Sequence, residues 1–197
     1  MKNIKVKITF TESVLGTSPS NPNIYTDFIG SKAPDASTVE DEVAALGADA
    51  VAEKGTTVFP RNEDDEPFFY DYQIKGFFKG ACGFLRRVPN KVSKSMSAYK
   101  KVIDGNIFVF PRKITIHTDM PIGINQRPLR AQTMQGERVT LASSEEIQAG
   151  AWCEFTVNLL NDADEKAFRE WMDFGALNGI GQWRNASHGR FVWEIIE

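Results

Sequence analysis

The chain has 197 residues, of which 42% are hydrophobic, 25% charged and 11% aromatic. That balance excludes a disordered or fibrous chain and allows one large domain with a substantial core, in which 14 Phe residues make ring packing dominant. The formal net charge of −3 excludes a uniformly basic surface, so any contact with nucleic acid has to be local.

Ile4, Val6, Ile8 and Phe10 alternate with Lys5, Lys7 and Thr9, which predicts a half-buried first strand. This opening does not read as a signal peptide, and no apolar run reaches the roughly 20 residues of a bilayer span, so a cytoplasmic protein with no membrane partner is expected. Residues 12–37, rich in Gly, Pro, Ser and Asn, predict a long loop. Ser37 and Glu40 make a capping-box pattern that opens a short helix from Thr38 to Leu46, or on to Glu53. Residues 56–59 predict a strand, 62–66 an acidic turn, and 68–72 a returning strand.

Residues 74–88 carry helical spacing, with Phe78, Cys82 and Leu85 on one face and Phe77, Ala81 and Val88 beside it. Gly76, Gly80 and Gly83 interrupt that helix at a cost of about 1 kcal/mol each relative to Ala, which points to something approaching the backbone closely. Asp104-Gly105 predicts a turn, followed by two strand-like runs split by Pro111. Residues 118–136, with Pro121, Gly123 and Pro128, read as irregular. Phe155, Val157 and Leu159 predict a strand over 154–160. Asp162 with Glu165 then caps a helix that buries Ala167, Phe168, Trp171 and Met172. A glycine-bearing loop over 178–189 leads to a closing strand over 191–196. Two β-α-β units with inserted material predict an α+β, ferredoxin-like (RRM-like) core: an antiparallel sheet with helices on one face. The chain, 1–197, is expected to form a single domain with irregular insertions at about 11–55 and 117–150.

Cys82 and Cys153 sit among apolar residues and are expected as buried core thiols. His117 and His188 are the only histidines and make no metal-spaced cluster with them, so neither metal nor cofactor is expected. Lys75 and Lys79 lie one helical turn apart and Arg86 extends the same side, the pattern of a phosphate track; the alternative is a solvated helix face. In the C-terminal loop, Gly179 and Gly181 expose backbone N–H groups that cradle phosphate, and Arg184 and Arg190 supply bidentate donors. Trp183 and His188 offer flat faces for a base. The alternative there is an ordinary loop before an edge strand.

Four segments, taken in order, resemble the RAMP superfamily, the RNA-binding backbone proteins of CRISPR effector complexes, and its type III backbone subunits in particular. Residues 8–16, ending in Leu15-Gly16, are similar to the family's first strand and the loop it runs into. Residues 60–80, through Ile74-Lys75-Gly76, look like its acidic turn, strand and helix start. Residues 127–154, with Glu146-Ile-Gln-Ala-Gly150, resemble the approach to an extended, inserted thumb-like hairpin and the next core strand. Residues 179–190 are similar to its C-terminal glycine-rich loop. The resemblance implies a subunit that grips single-stranded or guide RNA within a ribonucleoprotein, beside other subunits or in a head-to-tail homo-oligomer. The chain departs from the pattern in two places: Phe77-Phe78 stands where the family has a Ser-Ser pair, and the last loop reads Ser187-His-Gly-Arg190. Some members cut RNA with a loop aspartate, to which Asp27 or Asp35 would correspond, and others use a histidine, for which His188 is the candidate. An RNA endonuclease is therefore one alternative. A mobile-element decoy that mimics such a subunit against a defence complex is another.

Overall fold

The structure, a computed structural model, describes residues 1–20, 55–133 and 136–196, with the backbone alone between 129 and 140. The helix expected over 38–46, and Asp27 and Asp35 with it, lie outside the described residues.

A four-stranded antiparallel sheet carries the fold. It is built from β1 (Lys2–Phe10), β6 (Ile107–Phe110), β10 (Trp152–Leu159) and β11 (Phe191–Ile195). The spatial order is β11-β1-β10-β6, and each neighbouring pair is antiparallel. Helix α1 (Asp71–Leu85) precedes β6, and α3 (Glu165–Asn178) lies between β10 and β11. Read as β-α-β-β-α-β with the last strand beside the first, this is the ferredoxin-like topology. The alternation in β1 buries Ile4, Val6, Ile8 and Phe10, and β10 buries Cys153, Phe155, Val157 and Leu159. Both helices pack on that apolar face.

Helix α1 starts where Gln73 Oε1 accepts the Tyr70 N–H at 2.8 Å, and it ends in a tight turn before Pro89. Its apolar face is Ile74, Phe77, Phe78, Ala81, Cys82 and Leu85, a spacing of three and four throughout. Phe78 meets Phe168 edge-on at 5.7 Å and Trp171 at 5.7 Å, and Phe77 meets Phe191 at 5.3 Å. Such a ring typically contributes about 1.5–3 kcal/mol by its burial alone. Gly175 of α3 is required here, because a Cβ at that position would run into the Phe191 ring. Trp171 Nε1 donates to Ser93 Oγ at 2.9 Å, and Ser93 Oγ donates to Glu170 Oε2 at 3.0 Å, so the polar groups drawn into this core are satisfied. The two cysteines are buried and unpaired, as expected.

A second, five-stranded sheet stands beside the core. It contains β2 (Val14–Leu15), β3 (Ser18–Pro19), β4 (Thr57–Val58), β8 (Gly123–Thr133) and β9 (Gly136–Ile147). A two-stranded sheet joins β5 (Phe68–Tyr70) to β7 (Lys113–Thr115).

Three local expectations need correcting. Residues 118–136 are not irregular: most of them form β8, paired in register with β9 from Gly123↔Glu146 to Thr133↔Gly136. This is the inserted hairpin. Over 123–128 Arg127 is the one buried residue, so no apolar alternation marks this part of the strand, and Pro128 is tolerated because β8 is an edge strand. Asp104-Gly105 is not a hairpin turn but lies inside a short helix, α2 (Tyr99–Asn106). That helix buries a single residue, Ile103, too little to produce a visible period. Finally, Asp162 does not cap α3. Asn161 Oδ1 accepts from the Ala163 N–H at 3.2 Å and starts a 3₁₀ turn over Asp162–Asp164, while Glu165 is paired with Lys2 at 2.6 Å and Arg169 at 2.7 Å.

Candidate nucleic-acid interface

The two glycine-bearing loops predicted far apart in sequence meet at α1. The C-terminal loop closes on itself through the Ile180 N–H to Gly189 carbonyl bond at 2.9 Å. It docks on the first loop through the Gly189 N–H to the Ser13 carbonyl at 2.8 Å and the Thr11 N–H to the Arg190 carbonyl at 2.9 Å. From the first loop, Thr17 Oγ1 accepts from Gln73 Nε2 at 2.7 Å, which ties it to the start of α1. Gly179 and Gly189 allow the two ends of the C-terminal loop to touch, since a Cβ on Gly179 would strike the Gly189 and Arg190 backbone. Gly179 is therefore a packing residue. Gly181 (φ +94°) passes beside the Leu15 carbonyl and opens onto the surface groove.

That groove runs along the outer side of α1. Gly76, Gly80 and Gly83 form its floor, at helical spacing of four and three. A side chain at Gly76 would meet nothing within 4 Å, and at Gly80 only Arg184 Nη1 at 3.6 Å, whereas at Gly83 it would press on the Tyr99 hydroxyl at 3.1 Å, so Gly83 serves the packing of α2. Three cavities lie along the groove, neighbours sharing Gly181 and Arg184 or Phe84 in their linings. The first, about 280 Å³, is framed by Thr17, Gln73, Gly76 and Arg184. The second, about 570 Å³, lies between Phe84, Arg127 and the loop from Gly181 to Asn185. The third, about 320 Å³, is framed by Lys79, Gly80, Gly83, Arg87, Tyr99 and Lys100. Four cations thus border a floor of bare helix backbone: Lys79, Arg87, Lys100 and Arg184. The acids of 63–66 lie in a turn held by Asn62, whose Oδ1 accepts the Asp64 and Glu66 N–H groups at 3.0 and 2.8 Å and whose Nδ2 donates to Glu66 Oε2 at 2.9 Å.

The predicted RNA-binding residues separate into two groups. Lys79, Gly181, Trp183 and Arg184 stand at the groove. Lys79 is also paired with Asp104 of α2 at 2.6 Å, an exposed ion pair that stabilises little and exchanges readily. Lys75 turns toward α2 and β6, reaching the Asp104 carbonyl at 3.3 Å and the Phe108 ring at 4.7 Å. Arg86 lies over Tyr99 at 4.9 Å. Lys75 and Arg86 thus line none of these three cavities, while Arg87 and Lys100 line the third beside Lys79. Arg190 is half-buried beneath the loop with its Nε unpartnered.

Trp183 and His188 do not offer two free faces. They stack on each other at 5.1 Å and 16°, and the Arg127 guanidinium lies 4.8 Å from the Trp183 centroid. His188 is held further: its Nδ1 is 3.0 Å from Ser13 Oγ and 3.3 Å from the Ser13 carbonyl. Ser13 Oγ donates to Glu146 Oε1 at 2.6 Å, so its proton is committed and the imidazole must supply the next one from Nδ1. The chain of contacts runs carboxylate, hydroxyl, imidazole. It ties the C-terminal loop to the first loop and to β9. Among the described residues no group of three or more His, Cys, Asp or Glu is placed to hold a metal.

Phe77 and Phe78 are both buried, so the apparent exchange of a hydroxyl pair for two rings takes nothing from the groove. The polar contact at the helix start comes from Gln73 instead. Sequence reasoning missed Arg127 and Phe84. Arg127 sits on a strand that read as irregular, and Phe84 read as one more ring of an aromatic-rich helix; its 53% exposure on that helix becomes visible only in the fold.

An antiparallel sheet in this order, with two helices on one face, an inserted hairpin and a glycine-floored groove, defines an α+β protein of the ferredoxin-like class. No protein-family model matches the sequence, and no curated protein is similar to it by sequence. Solved structures are similar in fold. A chain of the type III-B Cmr-beta complex, in a cryo-EM structure bound to cognate target RNA, superposes with a TM-score of 0.52 and 9% identity over 99% of this chain. This chain spans 58% of the length of that one. Cmr6 from Pyrococcus furiosus matches with a TM-score of 0.46 and 12% identity, covering 97% of each chain. The likeness to the Cmr-beta chain is one of fold, the ferredoxin-like arrangement described above. Among the described residues no helix is long and apolar enough to cross a membrane.

Proposed function

We propose that this chain is an RNA-binding RAMP-like subunit of a CRISPR-type ribonucleoprotein, and that it grips a single strand by its backbone in the groove over α1. The observation that carries this reading is the bare helix floor at Gly76 and Gly80 with Lys79, Arg87, Lys100 and Arg184 on its borders. Glycines in a helix interior lower stability by roughly 1 kcal/mol each, a cost with a purpose at Gly76 and Gly80 if a ligand lies against the backbone there. A groove of this kind reads no base edges. It contacts phosphate and sugar, which suits a subunit whose partner strand varies in sequence. Residues 1–197 act as one unit in this reading, with companion subunits or further copies continuing the track.

The test is retention of a short single-stranded RNA over a series of salt concentrations. Each phosphate contact contributes about 0.7 to the slope of log affinity against log salt for a single strand. Lys79→Met, Arg87→Met and Arg184→Met should each lower the slope by roughly that amount. Slopes that stay at the wild-type value in all three would overturn the proposal. Release of shortened RNA products would instead favour the endonuclease reading.

A further inference from the structure

Residues 72–103 hold eight lysines and arginines and no aspartate or glutamate, although the whole chain carries a net charge of −3. The first acid after that stretch is Asp104, and its Oδ1 lies 2.6 Å from Lys79 Nζ. Lys79 borders the third cavity of the groove together with Arg87 and Lys100. Among the described residues those other two cations make no ion pair. A single carboxylate is thus set against one cation of the groove.

The placement runs against local preference. Asp104 stands in the last turn of α2, where the exposed carbonyl end of a helix disfavours negative charge, and no basic residue stands in that turn to offset it. Nor is the carboxylate needed to dock α2. Ile103 is fully buried, Tyr99 packs beside Gly83 and against the Arg86 guanidinium at 4.9 Å, and Lys75 Nζ donates to the Asp104 backbone carbonyl at 3.3 Å. The Asp104 side chain is 55% exposed, and ion pairs as open as this one stabilise a fold little. An acid that favours neither its own helix nor its docking, and that touches a groove cation, stands where a phosphate would.

We infer that the Asp104 carboxylate is an internal substitute for phosphate, which occupies Lys79 while the groove is empty and yields it to the bound strand. The inference rests on the RNA-binding reading and deepens it, by naming the contact that the strand has to exchange. Lys79 gains a phosphate only as it loses Asp104, so the net gain at this position is lowered by the strength of the exposed pair. Lys100 of the same helix borders the groove, so α2 both attracts the strand and opposes it. A strand that brings several phosphates overcomes the opposition, whereas a lone anion meets a carboxylate already in place.

Asp104→Asn in the full chain removes the competing charge and keeps the shape of the side chain. Titration of a labelled single-stranded RNA should show affinity higher by about two- to fivefold, the range of an exposed pair. The melting temperature should be unchanged or slightly higher, since the helix end loses an unfavourable charge. The salt slope should stay at the wild-type value, because Lys79 ends on a phosphate in both proteins. In a Lys79→Met background Asp104→Asn should bring no gain. In NMR of the wild-type protein, the Asp104 carboxyl carbon resonance should move as RNA is added, and it should not move in Lys79→Met.

An equal gain with and without Lys79 would mean that Asp104 acts through the general field of the surface, and the exchange is then wrong. A slope steeper by about 0.7 in Asp104→Asn would mean that the wild-type complex keeps the Lys79–Asp104 pair, which also refutes it. Unchanged affinity, or a melting temperature lower by several degrees, would make the pair a structural staple. Should Asp104→Asn fail to fold, the NMR titration of the wild-type protein decides: a carboxyl resonance that stays in place at RNA saturation rules the exchange out. All of these results leave the groove reading intact. Failure of the wild-type protein to retain RNA at all would overturn that reading and the exchange with it.

Discussion

Gly76 separates a structural helix from a binding helix, because substitution there should move stability and RNA affinity in opposite directions. The position is exposed in the first half of α1, and a Cβ built on it meets nothing within 4 Å. Gly76→Ala therefore adds no clash and gains helix propensity of about 1 kcal/mol. For a protein of this size that corresponds to a melting temperature higher by about 2–4 °C. Gly76→Leu should gain almost as much, since Leu is nearly as good a helix former as Ala. Binding should run the other way. The Ala methyl stands where the strand lies against the helix, and the Leu side chain fills the end of the groove framed by Thr17, Gln73 and Arg184. A single displaced phosphate contact amounts to about 1.5–3 kcal/mol, or about tenfold or more in affinity, so the expected order is Gly, then Ala, then Leu, with Leu down by at least that factor. Thermal melts and fluorescence-anisotropy titrations of one labelled RNA measure the two quantities on the same samples. Higher melting temperatures with unchanged affinity across the series would refute the argument that the glycines clear a path for RNA.

Burial raises the Cys153 thiol well above its ordinary range and raises Cys82 as well, so neither should react with a thiol reagent at pH 8 in the native protein, and both should react in denaturant. Burial also raises the Asp164 carboxyl, whose Oδ2 has no partner. The native state then holds that proton more tightly than the unfolded chain, so the group's contribution is full below the unfolded pKa and is lost as pH rises through the folded one. Asp164→Asn should accordingly raise the melting temperature at pH 7, with a gain that shrinks toward pH 4; a gain that does not depend on pH would exclude this cause. Nitrogen NMR of His188 should show the proton on Nδ1. Ser13→Ala should remove the hydroxyl partner and loosen the C-terminal loop, seen as faster amide exchange at Gly189; unchanged exchange would mean that the backbone bonds alone hold the loop.

The alternation in β1 and β10, the apolar face of α1 and the ring-bearing face of α3 are all set by local periodicity, because a strand or helix that packs on one side must repeat with its own geometry. Those four stretches, with their order along the chain, were enough to reach the ferredoxin-like core. Periodicity fails where an element has little apolar to bury: α2 rests on Ile103 alone, and over 123–128 β8 buries only Arg127. The candidate site shows the same division. Its ingredients were legible as residue types, since helical glycines and loop arginines are unusual wherever they occur. Their arrangement was not. Only the docking of the C-terminal loop on residues 11–16 brings Arg184 to Gly80, turns Trp183 and His188 onto each other, and leaves Arg127 buried behind them. Contacts between residues more than a hundred positions apart depend on how the whole chain packs, and no local pattern encodes them.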